Sequence, residues 1–186
     1  MPPKVKITKE DIINTALELV RTKGEQSVNA RNIASALNCS TQPVFSNFAT
    51  MDDLRLALLE KINSLCREFM KNEEQKGEFP SYKANGMAYI RFAKEEKGLF
   101  KLLYMRDRRG EDVPESTHVD EEMERVVRNN TGLDEETATL FHLEMWAFVH
   151  GIASMFATGF LDLDMDLVSR MLTDAYQGLR KQYGSE

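Results

Sequence analysis

Apolar side chains recur at helical spacing along most of the chain, and the earliest runs are short. Ile12, Ile13, Ala16, Leu17 and Val20 form one stripe that stops at Lys23-Gly24, with Gly24 placed to close the helix. Thr8 and Asp11 open it with a T-x-x-D pattern close to a capping box. Asn29 is placed to cap a second short helix whose apolar face is Ile33, Ala34 and Leu37. Asn38-Cys39 makes the turn, and Ser40 is the expected cap of a third helix ending near Phe48. Thr50 and Asp53 repeat the T-x-x-D start. They open a long fourth helix through Leu54, Leu58, Ile62, Leu65 and Phe69 to about Gln75.

The segment KGEFP breaks the fourth helix, so a module boundary is expected between residues 50 and 80. Beyond it the pattern predicts helices over 81–96 and 98–105, separated by Gly98, and further helices over 115–129, 134–159 and 164–183. MRDRRGEDVPESTH, between the second and third of these, reads as an exposed loop. No strand pattern competes and no repeat is present. The expected fold class is all-α, with a three-helix helix-turn-helix head over 1–50 and a larger helical body over 51–186.

Charge sharpens that division. The 186 residues carry a formal net charge of −6, which taken alone argues against a nucleic-acid partner. Residues 1–60 hold seven basic and seven acidic side chains, so the whole excess lies in residues 61–186. Cys39 and Cys66, on separate predicted helices, read as reduced thiols rather than a disulfide framework. The N-terminal MPPKVKITKED has no apolar leader pattern. The most apolar stretch, Leu140–Phe156, contains His142, Glu144 and His150 and makes a poor membrane span. A soluble, cytoplasmic protein is expected.

Two short helices joined by a tight turn are the smallest unit that places one helix in the DNA major groove. Val44 and Phe48, four apart, would anchor the third helix inward. That turns Thr41, Gln42, Phe45 and Ser46 outward, where hydroxyl and amide groups can read base edges. Arg31, at the start of the second helix, can reach a phosphate or a guanine edge. Ser40, Pro43 and Asn47 complete the expected DNA-facing set.

These residues carry a family resemblance. Ile12 to Leu54 resembles the DNA-binding head of the tetracycline-repressor (TetR) family in its ALELV-x-x-x-G run, its V-x-x-x-x-IA second helix and its Phe45-Ser46-Asn47-Phe48 ending. YIRFAKEEKGLFKLLYM (89–105) and WAFVHG (146–151) are similar to the body of a TetR branch named for a Trp-His-Gly signature. The resemblance implies a homodimeric regulator, most simply a repressor released from a palindromic operator by a small-molecule effector. Two positions depart from the family pattern: Phe45 stands where Tyr is usual, and Met51 where Lys is usual near the fourth helix. Both usual residues meet phosphates. Lys4, Lys6 and Lys9, in or beside the N-terminal arm, are placed to compensate; otherwise they are a solvated basic tail.

In the body, Ala147, Gly151, Ser154 and Thr158 form one narrow face of small residues. The last helix offers an amphipathic stripe including Val168, Leu172, Ala175 and Leu179. Two such helices from each of two chains would make a four-helix dimer interface, as the family does; otherwise both pack inside a monomer. Trp146 and His150, with Phe100, Tyr104 and Met123, are the expected lining of a cavity for a small apolar or amphipathic effector; otherwise they are ordinary core.

No enzyme is expected. Glu115-x-x-His118 has the spacing of half a di-iron ligand set, but no second pair exists. His142 and His150 are too few for a metal site. No phosphate-binding loop or nucleophile elbow is present. No cofactor, metal or membrane partner is expected. The remaining alternative is a helical protein-interaction module with weak or lost DNA binding, kept open by the neutral third helix.

Overall fold

Thr8 and Asp11 cap each other at the start of the first helix. The Asp11 amide donates to Thr8 Oγ1 at 3.1 Å and the Thr8 amide to Asp11 Oδ2 at 2.8 Å. Helix α1 (Lys9–Lys23) ends at Gly24, whose φ of 82° is open to glycine and strained for other residues. The computed structural model describes residues 7–106 and 121–184, and every regular element among them is helical.

After a 3-10 turn at Glu25–Ser27, α2 (Ala30–Ala36) starts at Asn29, whose side chain accepts from the Asn32 amide at 2.9 Å. Asn38, with φ of 51°, supplies the left-handed residue of the turn. Helix α3 (Gln42–Asn47) begins later than expected: Thr41, not Ser40, is the N-cap, and it makes no side-chain cap bond. Pro43 sets that start. It is tolerated in a first helical turn, where its missing N–H would have no partner anyway.

Thr50 and Asp53 repeat the reciprocal cap at the head of α4 (Met51–Gln75). Helices α5 (Ser81–Glu95) and α6 (Lys97–Tyr104) are divided at Glu96, not at Gly98. Helices α7 (Glu121–Thr131), α8 (Glu135–Thr158) and α9 (Met165–Tyr183) follow. Asp134 caps α8 by accepting the Thr137 amide, and Asp164 caps α9 by accepting those of Asp166 and Leu167.

The chain divides into two units. The first runs to Glu68 and also takes in Glu96–Arg106; the second holds Phe69–Glu95 and the chain beyond Arg106. The break after Glu68 lies inside the 50–80 window expected for the boundary, and this unit holds more of the chain than residues 1–50. The reason lies in α4, whose Leu54, Leu58, Ile62 and Cys66 recur every four residues and are buried. With them Ile12, Ala16, Val20, Ile33, Val44 and Phe48 are buried, each large side chain contributing about 1.5–3 kcal/mol.

In the second unit α8 packs against α5, α7 and α9. Val127, Ala138, Phe141 and Met145 form one cluster, against which Tyr82 and the α9 residues Ala175, Tyr176, Leu179 and Tyr183 pack. Helix α8 is long and apolar enough to cross a bilayer by length and composition. Nine of its side chains are buried, His142 among them, so it serves as the central helix of this unit.

Candidate functional site

The head presents α3 as expected. Val44 is fully buried and Phe48 nearly so, while Gln42, Phe45 and Ser46 are exposed, Phe45 by 52%. An aromatic ring left that open in a small unit contributes little to folding and is available for contact. Ser40 and Arg31 are exposed, and Thr41 and Pro43 half-buried. Arg31 makes no side-chain hydrogen bond or ion pair with another described residue, so its guanidinium is uncommitted. The Gln42 amide is likewise uncommitted, whereas the Ser46 hydroxyl donates to the Gln42 carbonyl at 2.9 Å and keeps only acceptor capacity.

Asn47 has a structural task. Its amide donates to the Pro43 carbonyl at 2.8 Å and reaches the Ile7 carbonyl at 3.5 Å, tying the end of α3 to the segment before α1. The Lys9 ammonium lies over the Phe48 ring, 4.9 Å from its centroid, which holds that cation beside α3. Lys4 and Lys6 lie outside the described residues.

The second unit contains a cavity of about 550 Å³ between the start of α5, the middle of α8 and α9, with Asn130 of α7 at its edge. Tyr82, Tyr89, Trp146 and Tyr176 supply its aromatic walls, and Met145, Val149 and Leu172 its aliphatic ones. Tyr82 lies 5.9 Å centroid to centroid from His142 and 5.8 Å from Tyr176. Its hydroxyl is 3.0 Å from His142 Nδ1. Burial pushes the Tyr82 and Tyr176 phenols up, so both stay protonated and neutral.

Of the five side chains expected to line the effector cavity, Trp146 lines this one. His150 stands behind it, its ring stacked on the indole at 5.0 Å and 13°. The Tyr89 hydroxyl meets His150 Nδ1 at 2.9 Å, and burial lowers the imidazole's pKa. Met123 is buried on α7 and is not part of the lining. Phe100 and Tyr104 belong to the first unit, where their rings lie 5.0 Å apart and the Tyr104 hydroxyl is 3.5 Å from Cys66 Sγ. Sequence spacing placed them on a helix over 98–105; it carried no information that α6 joins the first unit. The lining residues Tyr82, Asn85 and Tyr89, missed from the sequence, share one face of α5 at i, i+3 and i+7.

The expected dimer stripe also divides. On α9, Val168 and Leu172 are buried inside the unit, whereas Ala175 and Leu179 pack on its cluster and stay half-buried. The most apolar side of a helix is claimed first by its own core. On α8, Ala147 and Thr158 are exposed, and Gly151 and Ser154 half-buried. Leu140 and Met155, 46% and 37% exposed, extend that open side, which faces away from Met145 and Val149 around the helix.

Among the described residues no group of three His, Cys, Asp or Glu side chains is gathered to hold a metal ion. Glu115 and His118 lie outside the described residues.

Comparison with known proteins supports the reading of both units. Over 168 residues the chain is 24% identical to an uncharacterized HTH-type transcriptional regulator of Mycobacterium tuberculosis (strain ATCC 25618 / H37Rv), covering 88% of this chain and 77% of that one. A TetR-family member of Streptomyces coelicolor A3 shares the fold with a TM-score of 0.60 at 18% identity, over 90% of this chain and 96% of that chain. Residues 82–176, which carry most of the cavity lining, match the family described as tetracyclin repressor-like, C-terminal domain. A head with an exposed short helix and a helical body thus meet in one chain, which belongs to the tetracycline-repressor family of DNA-binding transcriptional regulators.

Proposed function

We propose that this protein is a cytoplasmic, homodimeric repressor that leaves a palindromic operator when a small molecule occupies the body cavity. The observation that carries the ligand-responsive part is the cavity itself. Its 550 Å³ falls inside the roughly 300–1,000 Å³ typical of small-molecule sites, with apolar walls and a few polar groups. In the head, Arg31, Gln42 and Phe45 are the base- and phosphate-facing side chains. Ser40, Thr41, Pro43 and Ser46 shape the approach, and Lys9, with Lys4 and Lys6, supplies cations beside it. Dimerisation runs through the open stripe of α8, from Leu140 through Ala147 and Gly151 to Thr158. Two heads then meet two half-sites about one helical turn or a multiple apart.

The coupling needed is modest. A difference of about 1–3 kcal/mol in operator affinity between free and occupied protein gives roughly 5–150-fold release. The test is operator retention on DNA flanking the protein's own gene. Arg31→Ala combined with Gln42→Ala should abolish specific retention and leave the dimer intact; unchanged binding by that variant would remove the assignment of the head. One feature favours a second reading, an interaction module without DNA binding: α3 carries no cation and Phe45 lacks a hydroxyl. Under that reading wild-type protein would show no salt-dependent retention on any flanking fragment.

A further inference from the structure

Charge around the body cavity is one-sided. Lys83 and Arg180 are the ionic side chains of its lining, and the lining includes no Asp or Glu. Lys83 donates to Thr173 Oγ1 at 2.8 Å and lies over the Phe79 ring at 4.8 Å, so no carboxylate neutralises it among the described residues. The Arg180 guanidinium makes no side-chain hydrogen bond or ion pair there either, in a chain whose acidic side chains outnumber its basic ones. Asn85, Asn130 and Gln177 bring amides to the same space without side-chain partners among the described residues.

From this arrangement we infer that the cavity binds a planar aromatic or arylalkyl acid, its ring held among Tyr82, Tyr89, Trp146 and Tyr176 and its carboxylate at Arg180 and Lys83. The inference rests on the small-molecule reading of this cavity and adds the ligand's chemical class. A planar guanidinium matches a carboxylate through two parallel N–H donors, and a charge-assisted bond is about twice as strong as a neutral one. Burial holds the Tyr82 and Tyr176 phenols neutral, so they do not oppose the anion. An ammonium ligand would meet two cations and no counter-charge. A neutral ligand would leave Arg180 and Lys83 as they are and gain only wall contacts.

Trp146 is the one tryptophan of the chain and lines the cavity, so its fluorescence reads occupancy without any DNA present. Titration with 4-phenylbutanoate, 4-phenylbutanol and 4-phenylbutylammonium compares three charges on one skeleton. The carboxylate should bind at least about tenfold more tightly than the alcohol, and the ammonium most weakly. Arg180→Gln should cut the carboxylate-to-alcohol ratio to about twofold. Equal or tighter binding of the alcohol or the ammonium overturns the inference, as does an unchanged ratio in Arg180→Gln. Saturation by none of the three at millimolar concentration overturns it too. The small-molecule reading fails separately, when no compound of any charge that saturates the fluorescence change alters operator retention.

Discussion

Gly98 lies against the end of α1 so closely that a Cβ built on it would stand 2.5 Å from the Val20 carbonyl oxygen. Arg21, the next residue along, grips Glu96 through two hydrogen bonds of 3.0 and 2.7 Å, and that contact raises the guanidinium's pKa. Together they seat the first turn of α6 on α1. Because the obstacle is backbone rather than a flexible side chain, Gly98→Ala must push the two helices apart. The expected loss is about 1–3 kcal/mol, read as a fall in Tm of roughly 2–4 °C per kcal/mol for a chain of this size. An unchanged Tm would mean that α6 does not need this approach.

Much of this unit was legible in the sequence because its signals are local. The T-x-x-D caps at Thr8 and Thr50, the glycine stop at Gly24 and the Asn29 cap each act within four residues, and all four stand in the structure. What was hidden depends on contacts distant in sequence. Gly98 reads as a helix breaker in isolation, yet it lies inside α6 and serves as a contact surface for a helix some eighty residues earlier. The same limit explains the cavity. Periodicity found the helices that line it, but which faces turn toward one another is set by packing, so only Trp146 was anticipated among its walls. On α9 the stripe was legible, but not that its own unit would bury Val168 and Leu172 while leaving Ala175 and Leu179 half-buried.

Arg31 is an uncommitted cation of the head, beside an uncharged α3. If it holds a phosphate, Arg31→Ala weakens binding to every DNA sequence alike and reduces the salt slope by about 0.9. Fluorescence anisotropy of a labelled operator fragment at several salt concentrations measures both. Because Arg31 is exposed and makes no side-chain bond among the described residues, Tm should stay within about 1–2 °C, a surface change of under roughly 0.5 kcal/mol. A weakened operator with an unchanged slope assigns Arg31 to a guanine edge instead.

His150 should make the body less stable in mild acid. Burial disfavours its imidazolium, so its folded pKa lies below the ordinary 6.5, and the unfolded chain takes up the proton first. Its contribution is therefore fully present above about pH 6.5 and is lost as pH falls through that value toward the folded pKa. Thermal melts at pH 7.5 and 5.5 should show a larger drop for the wild type than for His150→Gln, whose amide can still meet the Tyr89 hydroxyl. An equal drop in both would show that other groups dominate acid sensitivity.

Gly151 separates packing within one chain from packing between two. A Cβ built there meets nothing within 4 Å, so a large side chain at this position has room in the single chain. Leaving glycine also removes a helix penalty of about 1 kcal/mol. Gly151→Arg should therefore fold at least as well as the wild type by circular dichroism. Across a two-fold axis along α8, however, it would set two guanidinium groups into the same apolar stripe as Leu140, Ala147 and Met155. The expected outcome in analytical ultracentrifugation is a species of 21.3 kDa where the wild type sediments at twice that mass. Operator affinity should fall with it, since each DNA molecule then meets one head at a time. A variant that remains dimeric would move the interface off α8.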